Sequence, residues 1–169
     1  MRRRKSTIIG DNAFGECEDL LSITIPSSVK SIADGVFDGC SSLKNITIAA
    51  DNVAYRMIGN CLIELKKGNL IWGCNISVIP MNGCVKSIGW GAFRKCRGLK
   101  NIIIPIGVTS IGEQAFEDCE DLESVIIPSS VKSIGEYAFS GCRKLMEVRV
   151  AKDAKIGWNA FDFTEVVRY

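Results

Sequence analysis

The sequence contains no histidine. That excludes serine–histidine–aspartate and cysteine–histidine nucleophilic sites, and every zinc site with a histidine ligand. Its eight cysteines never fall in a C-x-x-C pair, so the zinc-ribbon pattern is missing as well. No run of about 18 apolar residues occurs, the length a membrane-crossing helix requires, and no membrane insertion is expected. MRRRK has the charge of an export signal, but STIIGDNAFGECED after it supplies no apolar stretch and turns acidic; the sequence as written therefore predicts no signal peptide. A surplus of one charge is also lacking. The net charge is +2, and Arg2, Arg3, Arg4 and Lys5 account for +4; without them 17 basic residues face 19 acidic ones. A nucleic-acid groove needs clustered Lys and Arg, so no nucleic-acid partner is expected. The basic start is read as a solvated terminus rather than an anion-binding arm.

What is present is a repeat. Of 169 residues, 47 % are apolar and 24 % charged, a globular composition. Ile9, Ile32, Ile88, Ile111 and Ile134 open five units, and Ile156 opens a partial sixth. Their aromatic partners are Phe14, Phe37, Phe93, Phe116, Phe139 and Phe161, and their thiols are Cys17, Cys40, Cys96, Cys119 and Cys142. Neighbouring units are 23 residues apart, except for 56 between Ile32 and Ile88 and 22 at the last step. One enlarged unit, at about 49–87, therefore sits in the middle. Within a unit such as 111–134, Ala115, Phe116, Cys119 and Leu122 fall at helical spacing, with Glu113 placed for a helix start. Val125 and Ile127 then follow strand spacing, Pro128 ends the strand, and 131–134 is a short extended return. The glycines after the repeat isoleucines are read as turn residues and form no phosphate loop. A single unit cannot bury its apolar face, whereas stacked units can. The expected architecture is an α/β solenoid forming one domain over 1–169, with parallel strands on one face and short helices on the other.

The pattern I-G-x-x-A-F-x-x-C-x-x-L-x-x-I-x-I-P-x-x-V-x-x-I resembles the BspA-like leucine-rich repeats, with five near-complete matches over most of the chain. The run NVAYRMIGNCLIELKKGNLIWGCNISVIP is similar to the enlarged hairpin repeat of that family, which makes Cys61–Glu64 and Asn69–Trp72 two strands about a turn at 66–69. The resemblance implies a surface or secreted bacterial protein that acts as an adhesin or interaction module and is not an enzyme. A cytoplasmic location is the alternative, and a structural spacer or self-assembling array the alternative function.

The repeat cysteines share the face of Phe and Leu, where a free thiol packs as a small hydrophobe, and they are expected to be unpaired. Cys61, Cys74 and Cys84 lie in the irregular unit, where one bridge is an open alternative. Residues 117–121 (EDCED) are acidic enough to hold Ca²⁺, but their equivalents Arg94-Lys95 and Arg143-Lys144 are basic, so a solvated face is preferred. Asn45-Ile-Thr47 and Asn75-Ile-Ser77 match the glycosylation sequon, a short pattern that is a weak signal. No cofactor or metal is expected.

Outward strand positions are Ser22 and Thr24, Asn45 and Thr47, Asn101 and Ile103, Ser124 and Ile126, and Glu147 and Arg149. They are expected to line one continuous sheet surface. Outward Ile103 and Ile126, with Arg149 beside them, form an apolar patch rimmed by charge. The candidate protein-binding residues are therefore Thr24, Thr47, Asn101, Ile103, Ser124, Ile126, Glu147 and Arg149. Ile103 and Ile126 can equally be strand formers that bind nothing. The last half unit, NAFDFTEVVRY, can cover the final core or present an open strand edge to a second copy, as a homodimer.

Overall fold

The computed structural model describes residues 7–169, so the basic segment Arg2–Lys5 lies outside the described residues. The chain winds into a solenoid of about six coils, each with three sides. The first side is the long strand: Ser22–Ile25, Asn45–Ile48, Asn101–Ile103, Ser124–Ile126, Glu147–Val150 and Glu165–Arg168. The second is the short return strand, where Ser87–Ile88, Ser110–Ile111, Ser133–Ile134 and Lys155–Ile156 pair in parallel, serine on serine and isoleucine on isoleucine up to the last step. Ile8–Ile9 and Ser31–Ile32 form the same ladder at the start of the chain. The third side is the Ala-Phe-x-x-Cys segment. Side chains alternate across each long strand, so Val125 is buried between exposed Ser124 and Ile126.

The third side is not helical, and among the described residues no helix occurs. The predicted short helices are replaced by successive tight turns. Leu122 N–H bonds to the carbonyl of Cys119, Cys119 to that of Phe116, and Glu117 to that of Gln114, always three residues back. The reason lies in two left-handed positions per coil, two residues before and two after each phenylalanine. Gln114 (φ 55°) and Asp118 (φ 57°) flank Phe116, and Tyr137 (φ 54°) and Gly141 (φ 73°) flank Phe139. A left-handed residue cannot continue a right-handed helix. The amides so released bond to the next coil: Gln114, Phe116 and Asp118 N–H donate to the carbonyls of Glu136, Ala138 and Ser140 at 2.9, 2.7 and 2.8 Å. The third side is thus a ladder between coils, and Glu113, with no helix to cap, offers its carbonyl to Gly91 N–H.

That stacking builds the interior. Phe93, Phe116, Phe139 and Phe161 form a column of near-parallel rings, with centroids 4.9, 4.9 and 5.0 Å apart. The glycines after the repeat isoleucines answer to the same close approach, and not to a turn as their recurrence suggested. Gly112, Gly135 and Gly157 keep ordinary φ, yet a Cβ on any of them would lie 2.4–2.8 Å from backbone of the preceding coil.

The enlarged unit interrupts the column. Cys61–Glu64 and Asn69–Trp72 form the expected antiparallel hairpin, joined by a third antiparallel strand, Tyr55–Ile58. Asn69–Trp72 pairs in parallel with Ser87–Ile88, which makes one seven-stranded sheet with the return strands. Both hairpin faces are buried: Leu62 and Ile71 pack into an amino-terminal core with Phe37, while Ile63 and Leu70 pack into the larger core with Phe93. Two alternating side-chain directions thereby serve two cores. Buried Asn52 fixes the entry, donating to the carbonyls of Pro26 and Val29 and accepting from the amides of Ala54 and Tyr55. The final unit closes the far end. Glu165–Arg168 pairs with Glu147–Val150, and Arg168 donates to the carbonyls of Ala151, Lys152 and Ala154.

Candidate functional site

All eight candidate residues point outward and are exposed: Thr24, Thr47, Asn101, Ile103, Ser124, Ile126, Glu147 and Arg149. They do not line one continuous sheet. The long strands pair only two at a time, 22–25 with 45–48, 101–103 with 124–126, and 147–150 with 165–168. The enlarged unit separates the first pair from the second, so Thr24 and Thr47 sit side by side but apart from the rest. Asn101 pairs with Ser124 and Ile103 with Ile126; the two isoleucines are 52 % and 57 % exposed, an apolar step beside polar Asn101 and Ser124.

The second break makes a feature that sequence reading missed. Ser124–Ile126 and Glu147–Val150 are consecutive coils whose strands are not paired with each other. Between them lies a groove of about 420 Å³, lined by Val125, Ile126, Ile127, Glu147, Arg149 and Tyr169. The Tyr169 hydroxyl donates to the Ile127 carbonyl at 3.1 Å and braces the gap. Three predicted residues, Ile126, Glu147 and Arg149, meet at this groove beside Ile103. Tyr169 carried no signal in the sequence, because its position depends on where the last strand docks.

The other candidates are absorbed by the scaffold. All eight cysteines are free. The thiols of Cys40, Cys119 and Cys142 each donate to the carbonyl of the preceding coil's phenylalanine, at 3.0, 3.1 and 3.2 Å. This explains a small buried donor at that position. Burial pushes Cys40 up to about 11 and Cys61 and Cys96 up to about 12, far from the thiolate that a nucleophile requires. Three of the four acids of the run are held in ion pairs, Glu117 with Arg94, Glu120 with Arg97 and Asp121 with Lys144, and no metal-binding group occurs among the described residues. Ser77 of the second sequon is buried, its hydroxyl held by the Cys74 amide and the Asn60 carbonyl. Trp72 is core, Trp90 is half-buried against Gly35, and Trp158 is exposed against Tyr137.

Among solved structures, the pneumococcal vaccine antigen PcpA superposes with a TM-score of 0.75 at 26 % identity, over 82 % of this chain and 35 % of that one. A leucine-rich repeat protein from Bacteroides capillosus gives 0.58 at 25 % identity, over 69 % of this chain and 99 % of its own. One from Bacteroides ovatus gives 0.52 at 30 % identity, over 89 % and 40 %. The chain thus spans about a third of the pneumococcal antigen. No curated protein matches it in sequence. The profile described as BspA type leucine rich repeat region matches in six copies, over residues 4–66 and 67–168. With fold, repeat period and profile in agreement over nearly its whole length, the chain belongs to the BspA-type leucine-rich repeat family.

Proposed function

We propose that this chain is a non-catalytic protein-interaction module of a surface or secreted bacterial protein, binding a host or neighbouring-cell protein through its carboxy-terminal strand face. The observation that carries the reading is the pairing of exposed Ile103 and Ile126 at the rim of the groove that Glu147, Arg149 and Tyr169 complete. Apolar anchors beside an arginine and a tyrosine, in a concave setting, have the composition of binding hot spots. The surface assignment is supported by a relative described as a vaccine antigen and by the family. The module is proposed to be one domain over 1–169, because the Cys61–Glu64 strand contributes side chains to both cores.

The test is binding of purified chain to immobilised extracellular-matrix proteins and to whole host cells, with Ile103→Glu/Ile126→Glu beside it. Each hot-spot residue is worth about 2 kcal/mol or more, so saturable binding should weaken at least about a hundredfold in the variant while its melting temperature holds. Unchanged affinity in the variant would refute the site. The open outer edge of Glu165–Arg168 favours a second reading, a homodimer or array through that edge. Multimers whose size rises with concentration, together with no binding to any surface, would replace the first reading with this one.

A further inference from the structure

At the enlarged unit the coil-to-coil ladder of the third side is interrupted. In the carboxy-terminal coils, the amides of each phenylalanine and of the residue two beyond it donate to the next coil: Phe93 and Lys95 to Ala115 and Glu117, and Phe116 and Asp118 to Ala138 and Ser140, all at 2.7–2.8 Å. Gly141, whose partner coil is the last, is served by the Asp162 carboxylate at 3.2 Å. The equivalent amides of Phe37 and Gly39 have no acceptor among the described residues, although both residues are buried. On the facing wall, the Arg94 carbonyl has no donor among the described residues. The enlarged unit, which replaces a full coil here, supplies only Gly73, whose amide reaches the Ala92 carbonyl at 2.8 Å and whose carbonyl receives the Cys96 thiol at 3.4 Å.

A cleft of about 400 Å³ occupies the missing rung. Its floor is Trp72 and Cys74, and its walls carry Lys44, Arg94, Lys95 and Arg97, with no carboxylate among the lining residues. The surrounding carboxylates are held by these cations: Asp38 and Glu117 by Arg94, Glu16 by Lys95 and Glu120 by Arg97. Lys44 has no carboxylate partner among the described residues. Buried amides without acceptors are costly, and a row of them at ladder spacing is the arrangement that an added extended strand satisfies.

We propose that this cleft is a second binding site, which takes a short extended acidic peptide segment of a partner protein as the missing rung. The segment's carbonyls accept from Phe37 and Gly39 N–H, one of its amides donates to the Arg94 carbonyl, and its carboxylates face Lys44 and Arg97. This site is separate from the strand face and does not depend on it.

Fluorescence anisotropy with a labelled, end-blocked Glu-Val-Glu-Val-Glu pentapeptide tests the assignment. Saturable binding is expected. It should weaken at least tenfold when two central amides of the peptide are N-methylated, and at least tenfold in Lys44→Glu/Arg97→Gln, a change of exposed side chains whose folding is checked by an unchanged melting temperature. The Lys-Val-Lys-Val-Lys peptide should not bind, and Ile103→Glu/Ile126→Glu should bind like the parent. Equal affinity for the N-methylated peptide, or equal competition by inorganic phosphate, would reduce the cleft to a simple anion site and overturn the strand assignment. Absence of saturable binding, or its loss only in the strand-face variant, would overturn the site altogether.

Discussion

Phe116→Ala should destabilise the protein by about 4–5 kcal/mol, at the upper end of Phe-to-Ala changes. Phe116 is fully buried, with Phe93 on one side and Phe139 on the other, both rings 4.9 Å away and within 7° of parallel. Truncation removes the buried ring, leaves a cavity between two planes, and breaks two aromatic pairs worth about 0.5–1.5 kcal/mol each beyond area burial. The cavity cannot collapse, because the backbone ladder fixes the spacing of the coils at that residue: Phe93 N–H holds Ala115, and Phe116 N–H holds Ala138. Against a typical total of about 5–15 kcal/mol, such a loss leaves the variant close to unfolding. Phe163→Ala is the matched control, since that ring is 95 % exposed and should cost within about 0.5 kcal/mol. Urea denaturation of the three proteins measures the difference. A loss below about 1.5 kcal/mol for Phe116→Ala would mean that the column is not what holds the coils.

Gly135→Ala should cost about 3 kcal/mol, the upper part of the range for overpacking. The added Cβ would stand 2.4 Å from the Glu113 nitrogen and 2.6 Å from the Gly112 carbonyl carbon. Those atoms are backbone of the preceding coil, and Gly135 N–H is itself bonded to the Ile111 carbonyl at 2.9 Å, so neither partner can yield without breaking the ladder. Gly10→Ala isolates the cause. Gly10 occupies the same position in the first coil, with nothing within 4 Å of its would-be Cβ, and should change stability by no more than about 0.5 kcal/mol. Thermal melting distinguishes the explanations. If the recurring glycine served only backbone freedom, both substitutions would cost the same; stacking makes only the inner one expensive.

The sequence revealed whatever depends on spacing within a unit. The isoleucine and phenylalanine anchors, the hairpin strands Cys61–Glu64 and Asn69–Trp72, and the outward positions from Thr24 to Arg149 lie where the pattern puts them; of the repeat cysteines, Cys17 departs from it and is exposed, because among the described residues no coil precedes it to cover that side. The helices were misread because Phe116, Cys119 and Leu122 are three residues apart, a spacing that suits one helix face and a series of three-residue turns equally well. Left-handed residues decide between the two. Gly35, Gly39, Gly91 and Gly141 mark some of those positions, but Gln114, Tyr137 and Lys95 fill others and hide the rule. The groove and the cleft were illegible for a different reason. Each arises where a coil lacks a partner, between Ile126 and Arg149 or between Gly39 and Arg94, and a pairing that fails across units leaves no local trace.

Amides of the third side bond from coil to coil, and beside the enlarged unit those of Phe37 and Gly39 have no such partner among the described residues. Residue-resolved hydrogen exchange tests this pairing most directly. The amides of Phe93, Lys95, Phe116 and Asp118 should exchange near the limit set by global unfolding, and those of Phe37 and Gly39 orders of magnitude faster. Equal protection of Phe37 and Phe116 would contradict the missing rung, and fast exchange of Phe93 and Phe116 would contradict the ladder itself.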